Sequence, residues 1–166
     1  VWELSPPPPS PASPLRGDVT VDIVIVGAGI TGAFLAERLS REGHRIIVVD
    51  RHAPQRASTA ASTALLQWEI DAPLLELEQR LGFETAAAIY RRSFAAVETI
   101  HELASRLAPC NFAPRETLYL SGSLLDRHLL KEEGVLRQRA GLPSTFCENS
   151  ASAGFGSFGG AAALVS

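Results

Sequence analysis

The sequence predicts an α/β fold: one parallel, right-handed βαβ unit near the start, with helices added after it and the whole forming an incomplete fold. Three observations predict it. Residues 21–26 (Val-Asp-Ile-Val-Ile-Val) form a short β-branched run. Residues 45–50 (Arg-Ile-Ile-Val-Val-Asp) form a second run and end on an acid. Between them come three closely spaced glycines, then apolar residues at helical spacing.

Each element has its reason. The two runs lack polar alternation, as expected of parallel strands buried on both faces. Residues 33–42 place Leu35, Ala36 and Leu39 on one side of a helix, and Gly43 stands where a helix is left behind. A strand–helix–strand connection of this kind is right-handed. Residues 51–70 are rich in Ala, Ser and Thr and only weakly periodic. Asp71 and Pro73 mark a helix start, and Leu74, Leu75, Leu77 and Leu81 follow at helical spacing. Residues 83–107 form a longer amphipathic helix with a stripe through Ala86, Ile89, Tyr90, Phe94, Val97 and Ile100, ended by Pro109. Residues 117–120 read as a strand. Residues 124–140 read as a third added helix, ended by Gly141 and Pro143 and weakened in the middle by Gly134.

Composition bounds the organisation. Residues 1–18 hold six of the eleven prolines and predict an extended arm. Residues 19–148 form the nucleotide-binding part with its helical insertion. Residues 149–166 carry no charge, are mostly Ala, Gly and Ser, and make poor material for a core. The 15 basic and 18 acidic residues leave a net charge of −3, which gives no electrostatic footprint for nucleic acid. Two cysteines outside any CxxC pair exclude a disulfide scaffold and a cysteine-based zinc site, and point to a reducing, cytoplasmic setting. No run approaches about 18 apolar residues, so no membrane span is expected. The opening shows no signal-peptide pattern. The chain opens on Val1 and contains no Met, as expected of a fragment.

The glycines carry the chemistry. The pattern GxGxxGxxxAxxLxxxGxxIxxxD is met by Gly27, Gly29, Gly32, Ala36, Leu39, Gly43, Ile46 and Asp50. A bare GxGxxG is weak, but here strand, helix and second strand all stand in place. Gly27 permits the tight turn, and Gly29 lets backbone approach a pyrophosphate. The N–H groups near Ile30, Thr31 and Gly32 face that anion at the positive end of the helix. Asp50 accepts hydrogen bonds from ribose hydroxyls and repels a 2′-phosphate. The bland alternative, glycines serving packing alone, is the reading this context disfavours. FAD and NAD share the fingerprint, so the glycines do not choose between them.

Residues 22–50, with Val26-Gly27-Ala28-Gly29-Ile30-Thr31-Gly32, then Arg51 and the Ser/Thr-rich stretch from Ala57 to Gln67, resemble FAD-dependent oxidoreductases of the glycine/D-amino acid oxidase type. The likeness continues to about Pro143. It implies a Rossmann-like FAD-binding fold and a flavin lying beside the segment after the second strand, which implicates Ser58, Thr59 and Ser62. The competing reading of those three is a Ser/Thr-rich turn and helix cap. The resemblance also implies two-electron oxidation of a small-molecule amine or amino acid, the hydride passing to the flavin. Such enzymes continue into a β-rich substrate domain, so these 166 residues read as the N-terminal portion, and no catalytic residue is assigned. The expected cofactor-binding set is Gly27, Ala28, Gly29, Ile30, Thr31, Gly32, Asp50, Arg51, Ser58, Thr59 and Ser62, with no metal. Two alternatives stay open. One is an NAD-dependent dehydrogenase domain, against which the helices directly after the second strand argue. The other is a truncated, non-catalytic nucleotide-binding remnant.

Other residues read as structural. His44, His52, His101 and His128 are scattered. Glu76, Glu78 and Glu84 fall on helix surfaces, and Glu132 and Glu133 are expected beside Lys131 and Arg137 on a solvated face. Tyr90 and Phe94 fit a core stripe.

Overall fold

A computed structural model describes residues 13–52, 58–59, 61–107, 110–149 and 161–166. Its fold is mixed α/β, as the sequence predicts. The contacts divide it into two units, Val1–Leu65 and Leu66–Ser166. The boundary falls inside the span 19–148 that the sequence suggests as one domain.

The first unit is the βαβ unit. Strand β1 (Ile23–Val26), helix α1 (Ile30–Arg41) and strand β2 (Ile46–Val49) follow in order. The strands pair in parallel, with Ile23 opposite Ile46 and Val26 opposite Val49. Helix α1 begins immediately after Gly29, three residues earlier than the apolar spacing suggests. The expectation of strands buried on both faces is corrected. Ile25 is buried, whereas Val24 and Val26 are exposed, Val26 at 85%. The reason is simple geometry. Successive side chains of a strand point to opposite faces. Helix α1 covers the face that carries Ile25, and Gly32 lies against the Ile25 side chain.

The second unit holds helices α2 (Leu74–Leu81) and α3 (Phe83–Arg106), strand β3 (Leu118–Leu120), helix α4 (Arg127–Arg139) and strands β4 (Thr145–Cys147) and β5 (Ala163–Val165). The three strands form an antiparallel sheet in the order β3-β5-β4, with Leu164 opposite both Tyr119 and Phe146. This corrects the reading of the last residues as material outside a core. Ala163 and Leu164 are fully buried at the centre of the sheet. Gly134, read from sequence as a weak point in α4, has a packing role. A Cβ there would stand 2.7 Å from the Leu164 side chain, so the missing side chain lets β5 approach the helix. Helix α4 itself starts at Asp126, whose carboxylate accepts the Leu129 N–H at 2.9 Å.

The core gathers Trp68, Leu74, Leu77, Ala86, Tyr90 and Leu136, with Phe94 packed against it. The stripe expected on α3 is therefore inward at Ala86, Tyr90 and Phe94, while Ile89 is exposed. Trp68 meets Tyr90 and Phe94 edge to face, at centroid distances of 6.0 and 5.8 Å.

The solvated face expected for Glu133 and Arg137 is also corrected, because both are buried. Their place follows from a gap in the sequence at α2. That helix starts after Pro73, which has no side-chain acceptor for the unpaired N–H groups of the first turn. Glu133 supplies the acceptor from α4. Its two oxygens receive the N–H groups of Leu74 and Leu75 at 3.0 and 2.8 Å. Arg137, one turn on, donates from Nε to the same carboxylate at 2.8 Å and lies over the Trp68 ring at 5.2 Å. The guanidinium also stands 3.8 Å from the buried Glu69 carboxylate, so the charges that face inward here are partnered. Burial, with the Glu133 charge beside it, pushes the Tyr90 phenol well above its ordinary pKa, and its hydroxyl donates to the Ala72 carbonyl at 2.8 Å.

Replacing Glu133 by Ala strands two helix N–H groups and takes the nearest carboxylate from the buried Arg137, leaving it Glu69 at 3.8 Å and Ser166 Oγ at 3.5 Å. Chemical denaturation of E133A is expected to show a loss of about 3–5 kcal/mol. A loss of only a few tenths would mean that the cap does not hold α2.

Candidate functional site

The site lies at the carboxyl end of the β1–β2 pair, where open α/β sheets take their ligands. The Gly27 N–H donates to the Val49 carbonyl at 2.8 Å, which ties the end of β1 to β2. Gly27 has φ +113, a conformation that a side chain disfavours, so the chain turns there towards α1. Gly32 is required for a different reason. A Cβ on it would collide with the Gly27 carbonyl, leaving the helix no way to start so close to the strand.

Gly29 differs from both. It is the residue before α1, with φ −78 and ψ −174, which any residue adopts. The nearest atom to a Cβ built on it is Thr59 Oγ1 at 3.5 Å, an ordinary contact. The fold of this chain therefore explains two of the three fingerprint glycines and leaves the third free for a ligand.

Asp50 organises the loop. Its carboxylate accepts the Ala28 N–H at 2.8 Å through one oxygen and the His52 N–H at 2.8 Å through the other. These two bonds, Ala28 first, hold its carboxyl below the ordinary carboxylate range, although slight desolvation opposes them. The N–H of Ala28, a member of the expected cofactor-binding set, is thus committed to Asp50. The Ile30 N–H is likewise taken by Thr59 Oγ1 at 3.2 Å. Among the described residues no hydrogen bond is drawn to the N–H of Thr31 or Gly32, the remaining donors of the first turn.

The Ser/Thr-rich stretch divides. Thr59 stands against the glycine turn, whereas Ser58 and Ser62 belong to a local turn. The Ser58 carbonyl accepts the Ala61 N–H at 3.1 Å, and Ser62 Oγ accepts the Ala64 N–H at 3.1 Å. Arg51 is exposed. Ala28, residues 47–50 and His52 line a cleft of about 710 Å³ together with residues 13–16. Sequence reasoning missed that contribution, since a proline-rich arm carries no signal of where it lies. It also left His52 aside, whose backbone rather than its ring does the work. Among the described residues no three His, Cys, Asp or Glu side chains gather as a metal site, and no helix is long and apolar enough to cross a membrane.

The family model described as FAD dependent oxidoreductase matches residues 22–164. The chain belongs to that family. Relatives of this FAD dependent oxidoreductase chain match it over shorter lengths. The iron-sulfur protein YhfW of Bacillus subtilis (strain 168), named for a Rieske 2Fe-2S centre, is 30% identical over 100 residues, 60% of this chain and 19% of that protein. The oxidoreductase YurR of the same organism is 44% identical over 45 residues, 27% of this chain and 12% of its own length. Squalene epoxidase 3 of Arabidopsis thaliana is 49% identical over 37 residues, 22% of this chain and 7% of its own. The matches thus span less than a fifth of each of these relatives. No solved structure matches the chain at a significant level. The family is FAD dependent. The residues present fit that cofactor: a glycine whose own conformation and packing do not require it, and an ionised acid just past β2 that lines a cleft with Ala28.

The lowered carboxyl of Asp50 has a measurable sign. Its folded pKa lies below its unfolded one, so its contribution to stability is present above about pH 3.9 and is lost as pH falls through the folded value. NMR titration of the Asp50 carboxyl should show a midpoint below about 3.9, with the Ala28 and His52 amide signals shifting in step. A midpoint at or above the free value would mean that the two N–H bonds are not formed in solution.

Proposed function

We propose that this chain supplies the dinucleotide-binding part of a flavin-dependent oxidoreductase that oxidises an amine or amino acid. Bound FAD supplies a two-electron acceptor for the hydride that leaves the substrate carbon. The chain's own residues bind and orient the dinucleotide. Gly29 lets the pyrophosphate come close to the backbone. The N–H groups of Thr31 and Gly32 donate to it at the positive end of α1. Asp50 keeps one lone pair on each oxygen beyond its two backbone bonds and offers them to the ribose hydroxyls. Thr59 and Arg51 stand on the flavin and adenosine sides of that turn, and Ser58 and Ser62 complete the hydroxyl-rich loop. The family match favours this reading over an NAD-dependent one. The free thiols Cys110 and Cys147 suit a reducing compartment such as the cytoplasm.

The observation that carries the reading is Gly29, the fingerprint glycine that folding does not need. It gives a discriminating pair of variants. G29A should keep its thermal unfolding curve within about 0.5 kcal/mol of the parent, yet bind FAD at least tenfold more weakly by flavin fluorescence. G32A should fail in the opposite order, losing the fold first through the clash with Gly27. If G29A binds FAD as the parent does, the pyrophosphate does not lie on this turn.

A further inference from the structure

We propose that residues 14–16 form the wall against which the adenine of the bound dinucleotide packs, so that the segment before β1 belongs to the nucleotide site. The inference rests on the nucleotide reading above and extends it to the adenine end. The cleft beside Asp50 has two sides within the first unit. One comprises Ile47 to Asp50, along β2 and just past it, with Ala28 and His52; the other is the segment from Ser13 to Arg16. Asp50 addresses the ribose hydroxyls. The base, joined to the same ribose, lies within the reach of one sugar ring of Asp50, and residues 14–16 line the same cleft as Asp50.

The chemistry of the segment suits a flat, neutral, aromatic base. Leu15 is apolar and 60% exposed, an arrangement that gains free energy when a ring covers it. The Arg16 guanidinium is planar, stays charged, stacks on aromatic faces and donates hydrogen bonds to ring nitrogens. Pro14 has a fixed φ, which lowers the cost of ordering the wall. Gly17, next in the chain, has φ +95, with open space where a side chain would begin. It is a backbone joint that sets the direction in which 14–16 leave β1. An arm serving only as a tether needs neither the joint nor an apolar residue held at the mouth of a cleft.

The test uses the 166-residue chain and three probes: FAD, ADP-ribose and FMN. The L15A/R16A variant, altered only at exposed positions, is expected to fold as the parent does by circular dichroism. It should bind FAD and ADP-ribose about tenfold more weakly and leave FMN, which has no adenine, unchanged. Saturating ADP-ribose should also slow tryptic cleavage after Arg16 in the parent. Unchanged affinities for FAD and ADP-ribose, with cleavage indifferent to ADP-ribose, would overturn the wall. The D50A variant separates the two levels. If D50A loses FAD while L15A/R16A keeps it, the wall fails and the nucleotide reading stands. If the parent itself binds neither FAD nor ADP-ribose, the nucleotide reading fails and the wall falls with it.

Discussion

The first unit depends on one carboxylate. Asp50 receives the Ala28 N–H from the turn after β1 and the His52 N–H from the chain leaving β2. Two loops that are 22 residues apart in sequence are thereby fixed to each other by a group on neither strand. Parallel pairing of β1 with β2 brings their ends side by side but leaves the loops beyond them unspecified. Charge-assisted bonds from backbone N–H to carboxylate are among the stronger ones available, and here they operate where the ladder has run out. The same geometry explains why an acid, rather than an amide, suits this position. An ionised carboxylate is purely an acceptor, and both of its oxygens are asked to accept.

Around that carboxylate the glycines divide by cause. Gly27 answers to backbone conformation and Gly32 to the approach of a helix to a strand. Gly29 answers to neither, and the difference bears on function. A fingerprint read as a string treats three glycines alike. The structure shows that two of them would be kept by any chain that folds this way, ligand or no ligand. The third is the one that neither backbone conformation nor packing accounts for, and the proposed binding role rests on it. Thr59 adds a parallel distinction within the hydroxyl-rich segment. Its Oγ1 reaches the start of α1, while Ser58 and Ser62 are engaged in a turn of their own.

Much of this was legible in the sequence. The βαβ unit followed from two β-branched runs with glycines between them, and Tyr90 and Phe94 were readable as core because helical spacing is a local property. Three features were not legible, each because a long-range partner decides it. Val24 and Val26 read as buried because parallel strands generally have cover on both faces, and periodicity cannot say whether cover is present. Glu133 and Arg137 read as solvated because each alone is costly to bury. The pair becomes affordable only when α2 presents two unpaired N–H groups to it. Strand β5 was hidden by its composition. Ala, Leu and Val are weak evidence for a central strand until Gly134 on α4 is seen to make room for Leu164.

The proposed ribose contact of Asp50, added to its observed hold on the loops, has a thermodynamic consequence. A carboxylate already held by two backbone donors is oriented before a ligand arrives, so the ordering cost of the acceptor is met during folding rather than on binding. A nucleotide that adds ribose hydroxyls to the remaining lone pairs leaves the existing bonds in place, and it binds the folded turn without binding the unfolded chain. Mass action then stabilises the whole unit, by about 2.7 kcal/mol at a ligand concentration of a hundred times Kd. The coupling runs both ways. Acid that protonates Asp50 weakens its bonds from Ala28 and His52 and, on the proposed reading, its hold on the ribose as well. If the nucleotide reading holds, cofactor affinity and loop order weaken in the same direction below the folded pKa. A packing-only glycine turn would show the loss of loop order without any nucleotide dependence, because nothing would link its acid to a ligand.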